Sequence, residues 1–137
     1  MKRHSAPAPL ALLAALIGGA GGTGLRLLVD TVLPHGDGEF PLGTLLLNVV
    51  GAFLLGLIVA RLWSRAPEWL RAGLGAGLLG SFTTFSAVMV SVVAQTTSGL
   101  WWMAALYLVL SLGFGLTAAA IGLRVGRVST PIDWVDE

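Results

Sequence analysis

The residues best suited to chemistry lie in one seven-residue stretch, Gly80 to Ser86, which contains four hydroxyl side chains and two phenylalanines. It lies within a run from Ala72 to Leu123 that has no Asp, Glu, Lys or Arg. Hydroxyl side chains compete for backbone hydrogen bonds, and glycine weakens a helix. A helix break inside a bilayer is tolerated only where it is buried in protein or lines a watery cavity. The stretch therefore predicts a broken membrane helix whose backbone groups can hold an ion.

Other neutral donors lie in the same apolar regions. Thr44 and Asn48 are four residues apart and share a helix face, and Tyr107 and Ser111 repeat that spacing. An unpaired amide is costly in a membrane, so Asn48 either contacts an ion or forms an interhelical hydrogen bond. For Ser111 the alternative is a hydrogen bond to its own helix backbone. These donors suit a small desolvated anion, whereas the carbonyls of a broken helix suit a hard cation such as Na⁺.

Arg26 is the one charged residue inside an apolar run rather than at its end. An ionisable residue within a membrane span is a functional hypothesis by default, because its burial is costly. Two interpretations stay open for Arg26. It either serves an ion path, or it reaches the membrane surface and pairs with Asp30 four residues later.

Composition assigns the chain to the membrane proteins. Of its 137 residues, 55% are apolar and 11% are charged, against about 25% charged residues in soluble domains. We expect one membrane domain covering residues 1–137. The absence of cysteine excludes disulfides and thiolate metal sites. The net charge of +1 gives no support to a nucleic-acid partner, and no nucleophile–base pair or metal-ligand set indicates an enzyme.

The apolar runs predict an all-α integral membrane protein with four spanning helices, since about 20 residues cross the hydrocarbon core. The basic start of the chain also resembles a secretory signal peptide, but its apolar run is long and three more follow. Residues 95–99 are predicted to form a short turn before the last span. The four spans are placed at residues 10–29, 42–62, 72–93 with a break at 80–86, and 100–123.

The distribution of basic residues predicts the orientation. With four spans, one side of the membrane carries Lys2, Arg3, Arg61, Arg65, Arg71, Arg124 and Arg127. The opposite side has only Arg26. Because cytoplasmic segments are enriched in Lys and Arg, both termini of this multi-pass protein are expected in the cytoplasm, with the helices in the cell membrane.

Three sequence motifs resemble those of the Fluc (CrcB) fluoride channel family. They occur in the family's order and spacing, and with the fourth span the likeness covers nearly the whole chain. The second and third motifs are the specific ones, since a glycine-rich first helix alone is common. The motifs are the glycine-rich segment Gly18–Arg26, the segment Pro41–Phe53 with its Gly-Thr-x-x-x-Asn pattern, and Gly80–Ser86 with its Gly-x-x-Thr-Thr-Phe-Ser pattern.

The resemblance implies an antiparallel dimer of four-span subunits with two fluoride pores along the subunit junction. It also implies a structural Na⁺ at the dimer centre, held by the backbone carbonyls of Gly80 and Thr83. The implied function is a passive, fluoride-selective exit pathway from the cytoplasm.

The resemblance also implies a role for each remaining candidate residue. Asn48 would donate a hydrogen bond to fluoride, and Phe85 would be the first of two rings that face the ion. Tyr107 and Ser111 would form a polar track on the fourth helix. The remaining candidate residues are Thr84 and Ser86, which would lie on the fluoride pathway, and Arg26 and Thr44, which would have a vestibule or support role.

Two positions depart from the family pattern. Val88 stands where the second phenylalanine is expected, and Gly115 stands where the subfamily compared has a hydroxyl. Many members insert in both orientations and show a weak charge bias, whereas the bias here is strong. We therefore hypothesise that the chain pairs with a second, oppositely oriented homologue, and an antiparallel homodimer is the alternative.

Two alternative functions stay open at this point. Because Val88 removes an aromatic edge, the chain could be a non-conducting or half-conducting partner subunit of a heterodimeric fluoride channel. A small dual-topology multidrug or cation antiporter has a similar size and span number. That class depends on a glutamate within the membrane, and no predicted span contains one.

Overall fold

The computed structural model describes residues 9–36 and 38–127 of the chain. These residues include four helical stretches, each long and apolar enough to cross a membrane. The stretches are Pro9–Val32, Leu42–Leu62, Glu68–Thr97 and Trp101–Arg127. Within the described residues all regular structure is helical, which confirms the all-α, four-span prediction. Lys2, Arg3, Asp37 and the residues after Arg127 lie outside the described part.

The first, second and fourth spans are single helices: α1 (Pro9–Val32), α2 (Leu42–Leu62) and, at the end, α6 (Trp101–Arg127). The third span is composite. It consists of α3 (Glu68–Arg71), a π-helical segment (Ala72–Leu79), α4 (Gly80–Phe82) and α5 (Phe85–Thr97).

The predicted break in the third span is present, and it is limited to two residues. Thr83 and Thr84 both have extended backbone conformations, with ψ angles of 150° and 118°. The π-helical segment before the break was not predicted. In such a helix the bonds reach back five residues, as in the Gly80 N–H that donates to Gly75 O. Because this widening depends on the packing around the segment, local sequence gives little sign of it.

The predicted turn at residues 95–99 is wrong for most of its length, because α5 continues through Thr97. The threonines that suggested a turn satisfy the last carbonyls of the helix instead. Thr96 Oγ1 and Thr97 Oγ1 donate to Val93 O at 2.8 and 3.0 Å. The chain reverses only at Gly99, whose positive φ of 77° favours glycine.

Helix α1 packs closely against the π-helical segment and α4. The contact depends on glycines, which let the two backbones touch. A Cβ atom at Gly18 would overlap Gly73 O, and one at Gly22 would overlap Leu78 O. This is the small-residue packing that replaces hydrophobic driving force between helices in a bilayer.

Helix α2 packs closely against α6 in the same way. A Cβ atom at Gly56 would overlap Ala119 O, and one at Gly122 would overlap Phe53 O. The described chain therefore consists of two glycine-packed helix pairs, one formed by α1 with the first half of the third span and the other by α2 with α6.

The two pairs are joined around the break. There, a Cβ atom at Gly51 of α2 would overlap the methyl group of Thr83. Helix α5 then turns away to pack on α6, where Val88 and Tyr107 form a small core with Leu45 of α2.

Candidate ion-binding site

Asn48 ties the break to α2 through two hydrogen bonds with one residue. Its Nδ2 donates to Thr84 O at 2.9 Å, and its Oδ1 accepts from Thr84 N–H at 2.7 Å. The bond to Oδ1 satisfies the Thr84 N–H, which the break removes from the helix ladder, and the bond from Nδ2 joins α2 to the carbonyl of the N-cap residue of α5. Of the two interpretations open for Asn48, the structure shows the interhelical hydrogen bond. An amide nitrogen carries two hydrogens, so one remains for another acceptor.

The hydroxyl of Thr84 caps the start of α5. Its Oγ1 accepts from Ala87 N–H at 3.2 Å and lies 3.0 Å from Ser86 Oγ. A hydroxyl in this position contributes about 1 kcal/mol to a helix start. The Thr83 hydroxyl donates back to Leu79 O at 2.9 Å, on the other side of the break.

The same pattern leaves the carbonyl oxygens of Gly80 and Thr83 without their helical donors. In a continuous helix they would accept from the amides of Thr84 and Ala87. Those amides donate instead to Asn48 Oδ1 and Thr84 Oγ1. Both residues also line one open groove. Two neutral carbonyls in that situation suit a hard cation such as Na⁺, so the chain's own residues fit the predicted ligand pair.

This groove, of about 390 Å³, runs along one face of the break. Phe85 is 62% exposed at its side, although its ring belongs to a membrane helix. The positions that depart from the family pattern, Val88 and Gly115, line the groove as well. The predicted site residues brought together here are Asn48, Gly80, Thr83, Thr84, Phe85 and Ser111.

Three of the other predicted residues line a second cavity of about 300 Å³, and Tyr107 lines neither this cavity nor the groove. Arg26, Thr44 and Ser86 meet there, with Asp30 and His35 beside them. Arg26 Nε lies 3.9 Å from Asp30 Oδ2, and the two side chains are 36% and 40% exposed. The predicted pairing of Arg26 with Asp30 is present, and it keeps the guanidinium at the rim of this cavity.

A group of hydroxyls is buried near the two cavities. Tyr107 is fully buried, and its nearest polar neighbours are Ser111 and Thr44. Neither Tyr107 Oη nor Ser111 Oγ has a hydrogen-bond partner among the described residues. The ring of Phe40 packs edge-on against Tyr107, with the ring centroids 5.4 Å apart. Two buried donors without acceptors are costly unless something else accepts from them.

Sequence reasoning missed His35, Ser91 and Gln95 as members of this region. His35 and Ser91 line the second cavity, and all three line a smaller one nearby. His35 was assigned to a loop and Gln95 to a turn. One signal could have indicated their position. Ser91 and Gln95 are four residues apart, so on one helix they would share a face with Ala87 and Thr84.

A family model described as "CrcB-like protein, Camphor Resistance (CrcB)" matches residues 13–123. The chain belongs to the CrcB family. All of the predicted site residues lie within the part that matches the CrcB family, and so do both glycine-packed helix pairs apart from residues 9–12 of α1 and 124–127 of α6.

Curated CrcB relatives cover most of the chain. A protein of Roseiflexus sp. (strain RS-1) is 35% identical over 120 residues, which are 85% of this chain and 97% of the relative. One of Allorhizobium ampelinum is 42% identical over 115 residues, covering 81% and 91%. One of Mycobacterium tuberculosis is 38% identical over 118 residues, covering 85% and 89%.

The first two relatives are named "Fluoride-specific ion channel FluC", and the third "Fluoride-specific ion channel FluC 1". These names describe ion channels rather than enzymes, which agrees with the prediction that this chain is not an enzyme. With the four spanning helices, they also confirm a multi-pass membrane protein.

Proposed function

We propose that this chain is a fluoride-specific ion channel subunit that lets cytoplasmic fluoride leave the cell passively. The observation that carries the proposal is the pair of buried hydroxyls, Tyr107 Oη and Ser111 Oγ, that lack hydrogen-bond partners among the described residues. Both are neutral donors in a span free of acids, and Ser111 lines the groove beside the break. The names of the CrcB relatives support fluoride as the anion.

Neutral donors suit conduction as well as binding. An ion must bind well enough to enter the pore and weakly enough to leave it. Hydroxyls can replace part of the hydration shell of fluoride without the strong attraction of a buried positive charge. The second hydrogen of Asn48 Nδ2 and the edge of the Phe85 ring would add donors along the same groove.

A second subunit would complete the pore. The groove beside the break is open along its length in a single chain, and it exposes Phe85, Gly80 and Thr83 together. An antiparallel partner would cover it and bring the equivalent break from the other side. The carbonyls of Gly80 and Thr83 would then hold a central Na⁺, whose charge offsets the dipoles of the four carbonyls.

Fluoride flux from liposomes tests the proposal directly. Purified chain in proteoliposomes should release fluoride and retain chloride. Phe85→Ala should lower the fluoride flux at least about tenfold, whereas Phe114→Ala should leave it unchanged. Phe114 is also exposed on a membrane helix but does not line the groove. Equal release of chloride, or equal effects of the two variants, would contradict a selective path along this groove.

A second candidate function is a partner subunit that conducts only in a heterodimer. Val88 lines the same groove as Phe85, but it is only 2% exposed and belongs to the small core. Gly115 continues the spacing of Tyr107 and Ser111, but a Cβ there would meet no atom within 4 Å. One ring and one hydroxyl are thus absent from this subunit's own share of the groove.

Gly115→Ser separates the two candidates because the added side chain has room. If the chain conducts alone, the extra hydroxyl should change fluoride flux in proteoliposomes that contain only this chain. If it is a partner subunit, such liposomes should stay silent with either residue. Flux should then appear only on co-reconstitution with a homologue of opposite Lys/Arg bias.

A further inference from the structure

A small cavity of about 80 Å³ lies where the loop between α1 and α2 meets the end of α5. The loop contributes His35, Gly36, Gly38 and Glu39. Helix α5 contributes Val90, Ser91, Ala94 and Gln95. The cavity is large enough for a few atoms of solvent or an ion, since one water molecule occupies about 30 Å³ in the liquid.

Gln95 leaves a buried acceptor in this cavity. The residue is only 1% exposed, and its Nε2 donates to Glu39 O at 3.1 Å. This bond fixes the amide orientation, because a flipped amide would place two acceptor oxygens together. The remaining oxygen, Oε1, has no hydrogen-bond partner among the described residues. A buried acceptor in that state costs about 1–3 kcal/mol unless a donor or a cation satisfies it.

Glu39 brings a carboxylate to the same cavity. Its Oε2 accepts from Gly36 N–H at 2.9 Å, and its own N–H donates to Gly36 O at 3.1 Å. Gly38 has a φ of 90°, which lets the loop make this turn. Glu39, whose carboxylate the turn holds, therefore lines one small cavity together with Ser91 and Gln95.

Charge in the surrounding segment favours a cation. From Arg26 to Glu39 the sequence has Asp30, Asp37 and Glu39 against the single arginine, a net charge of −2. A negative field at the mouth of a pathway lowers the local concentration of anions. A bound cation would offset that field close to the cavity that holds Arg26, because the two cavities share His35, Val90 and Ser91.

We propose that this cavity binds a hard divalent cation of the Ca²⁺ class through Gln95 Oε1 and the Glu39 carboxylate, with water completing the coordination. Calcium prefers carboxylate, amide and backbone oxygens. With one carboxylate, the dissociation constant should resemble that of weak extracellular sites, about 10⁻⁴–10⁻³ M. Among the described residues, no group of three or more His, Cys, Asp and Glu side chains could hold a metal, so a transition-metal site has no such support.

Terbium luminescence gives a binding assay that does not depend on fluoride flux. Tb³⁺ replaces Ca²⁺ at oxygen sites and is sensitised by nearby tryptophan. Trp101 and Trp102 follow Leu100, whose Cδ1 lies 3.5 Å from a Cβ placed on Gly38. The full-length chain in detergent should show saturable Tb³⁺ luminescence that millimolar Ca²⁺ displaces and equal ionic strength of KCl does not.

Variants locate the bound ion. Glu39→Gln should weaken Tb³⁺ binding about tenfold or more, because ligand charge sets affinity at such sites. Glu68→Gln is the matched control, since Glu68 is a glutamate next to a tryptophan, Trp69, but lies away from the cavity at the start of α3. It should leave the saturable component unchanged.

Gln95→Glu separates a ligand from a merely structural residue. A structural role for Gln95 predicts weaker binding, since the bond to Glu39 O is lost. A ligand role predicts tighter Tb³⁺ binding, because a second carboxylate joins the site. Gel filtration of each variant shows whether it remains folded and monodisperse. Saturable luminescence that survives Glu39→Gln, or that weakens with Gln95→Glu in a monodisperse sample, would overturn the proposal, and so would the lack of any saturable signal.

Discussion

At the scale of single residues, the hydroxyl groups of the membrane region differ in whether they have partners. Thr83 and Thr117 donate to carbonyls of their own helices, at 2.9 and 2.7 Å. Tyr107 and Ser111 have buried oxygens with no partner among the described residues. The first kind stabilises the fold, and under the proposed function the second kind would donate to a passing ion. This difference predicts opposite effects of removing the two kinds of hydroxyl.

Tyr107→Phe should lower fluoride flux several-fold without lowering thermal stability. Removing a buried polar group that has no partner is neutral or stabilising, because its desolvation cost disappears. The measurement is fluoride efflux together with thermal unfolding in detergent. Thr117→Val is the control on the same helix and should leave the flux unchanged. A destabilised Tyr107→Phe protein with normal flux would show that the hydroxyl is structural.

Asn48→Leu should reduce both stability and flux. The change keeps the approximate volume but leaves the N–H and C=O of Thr84 without the partners seen at 2.7 and 2.9 Å. Interhelical hydrogen bonds in membranes contribute about 0.6 kcal/mol each, with a maximum near 1.7. We therefore expect a loss of about 1–3 kcal/mol in detergent unfolding. An unchanged unfolding temperature would mean that the break does not depend on Asn48.

At the scale of helices, glycine position decides which pairs form. Gly22 faces the π-helical segment with no room for a side chain, whereas a Cβ at Gly24 would meet no atom within 4 Å. The two residues are half a turn apart on α1, so the helix has one face for packing and another that does not need glycine. Helix α6 shows the same contrast between Gly122 and Gly113.

Gly22→Ala and Gly24→Ala should therefore have opposite effects. The first places a methyl group against Leu78 O and should destabilise the protein by about 1–3 kcal/mol, as overpacking does. The second should be neutral or stabilising by up to about 1 kcal/mol, because alanine favours the helix. Thermal unfolding of both variants, followed by circular dichroism in detergent, measures the difference. Equal loss of stability would contradict the packing of α1 on the π-helical segment.

At the scale of the whole molecule, the break is open on one side of the described chain. The contacts between the helix pairs include those of Asn48 and Gly51 with the two threonines of the break. Gly80 and Phe85 of the candidate site are exposed on the single chain, as they would be if a second subunit covered them. The arginine distribution bears on how that second subunit would be oriented.

If the chain pairs with an oppositely oriented homologue, the chain expressed alone should insert in a single orientation. Seven of its eight basic residues lie on the predicted cytoplasmic side, and this bias directs insertion. A fluorescent protein at the C-terminus should be bright, and alkaline phosphatase at the same place should be inactive. As a control, added lysines between α1 and α2 with Arg65→Gln and Arg71→Gln should raise the phosphatase signal. Comparable activity of both reporters in the unaltered chain would indicate dual topology.

The sequence by itself determined the number of spans and the existence of the break. Both depend on local features. The number of spans follows from runs of apolar residues long enough to cross a bilayer, and the break follows from four hydroxyls and a glycine that lie close together within one of these runs. It also indicated most of the polar residues that line the two cavities, although not His35 and Ser91, because few polar residues occur in spans. Where the local signal was ambiguous, as with the threonines after Gln95, the predicted turn was wrong.

Only the tertiary structure decided what each polar residue contacts. Asn48 meets Thr84 across 36 positions of sequence, and Gln95 meets Glu39 across 56. No local pattern specifies such partners, because they depend on how the glycine faces bring the helices together. For the same reason the sequence could not show which hydroxyls form hydrogen bonds. The Thr83 hydroxyl donates to Leu79 O, whereas the Tyr107 hydroxyl has no partner among the described residues.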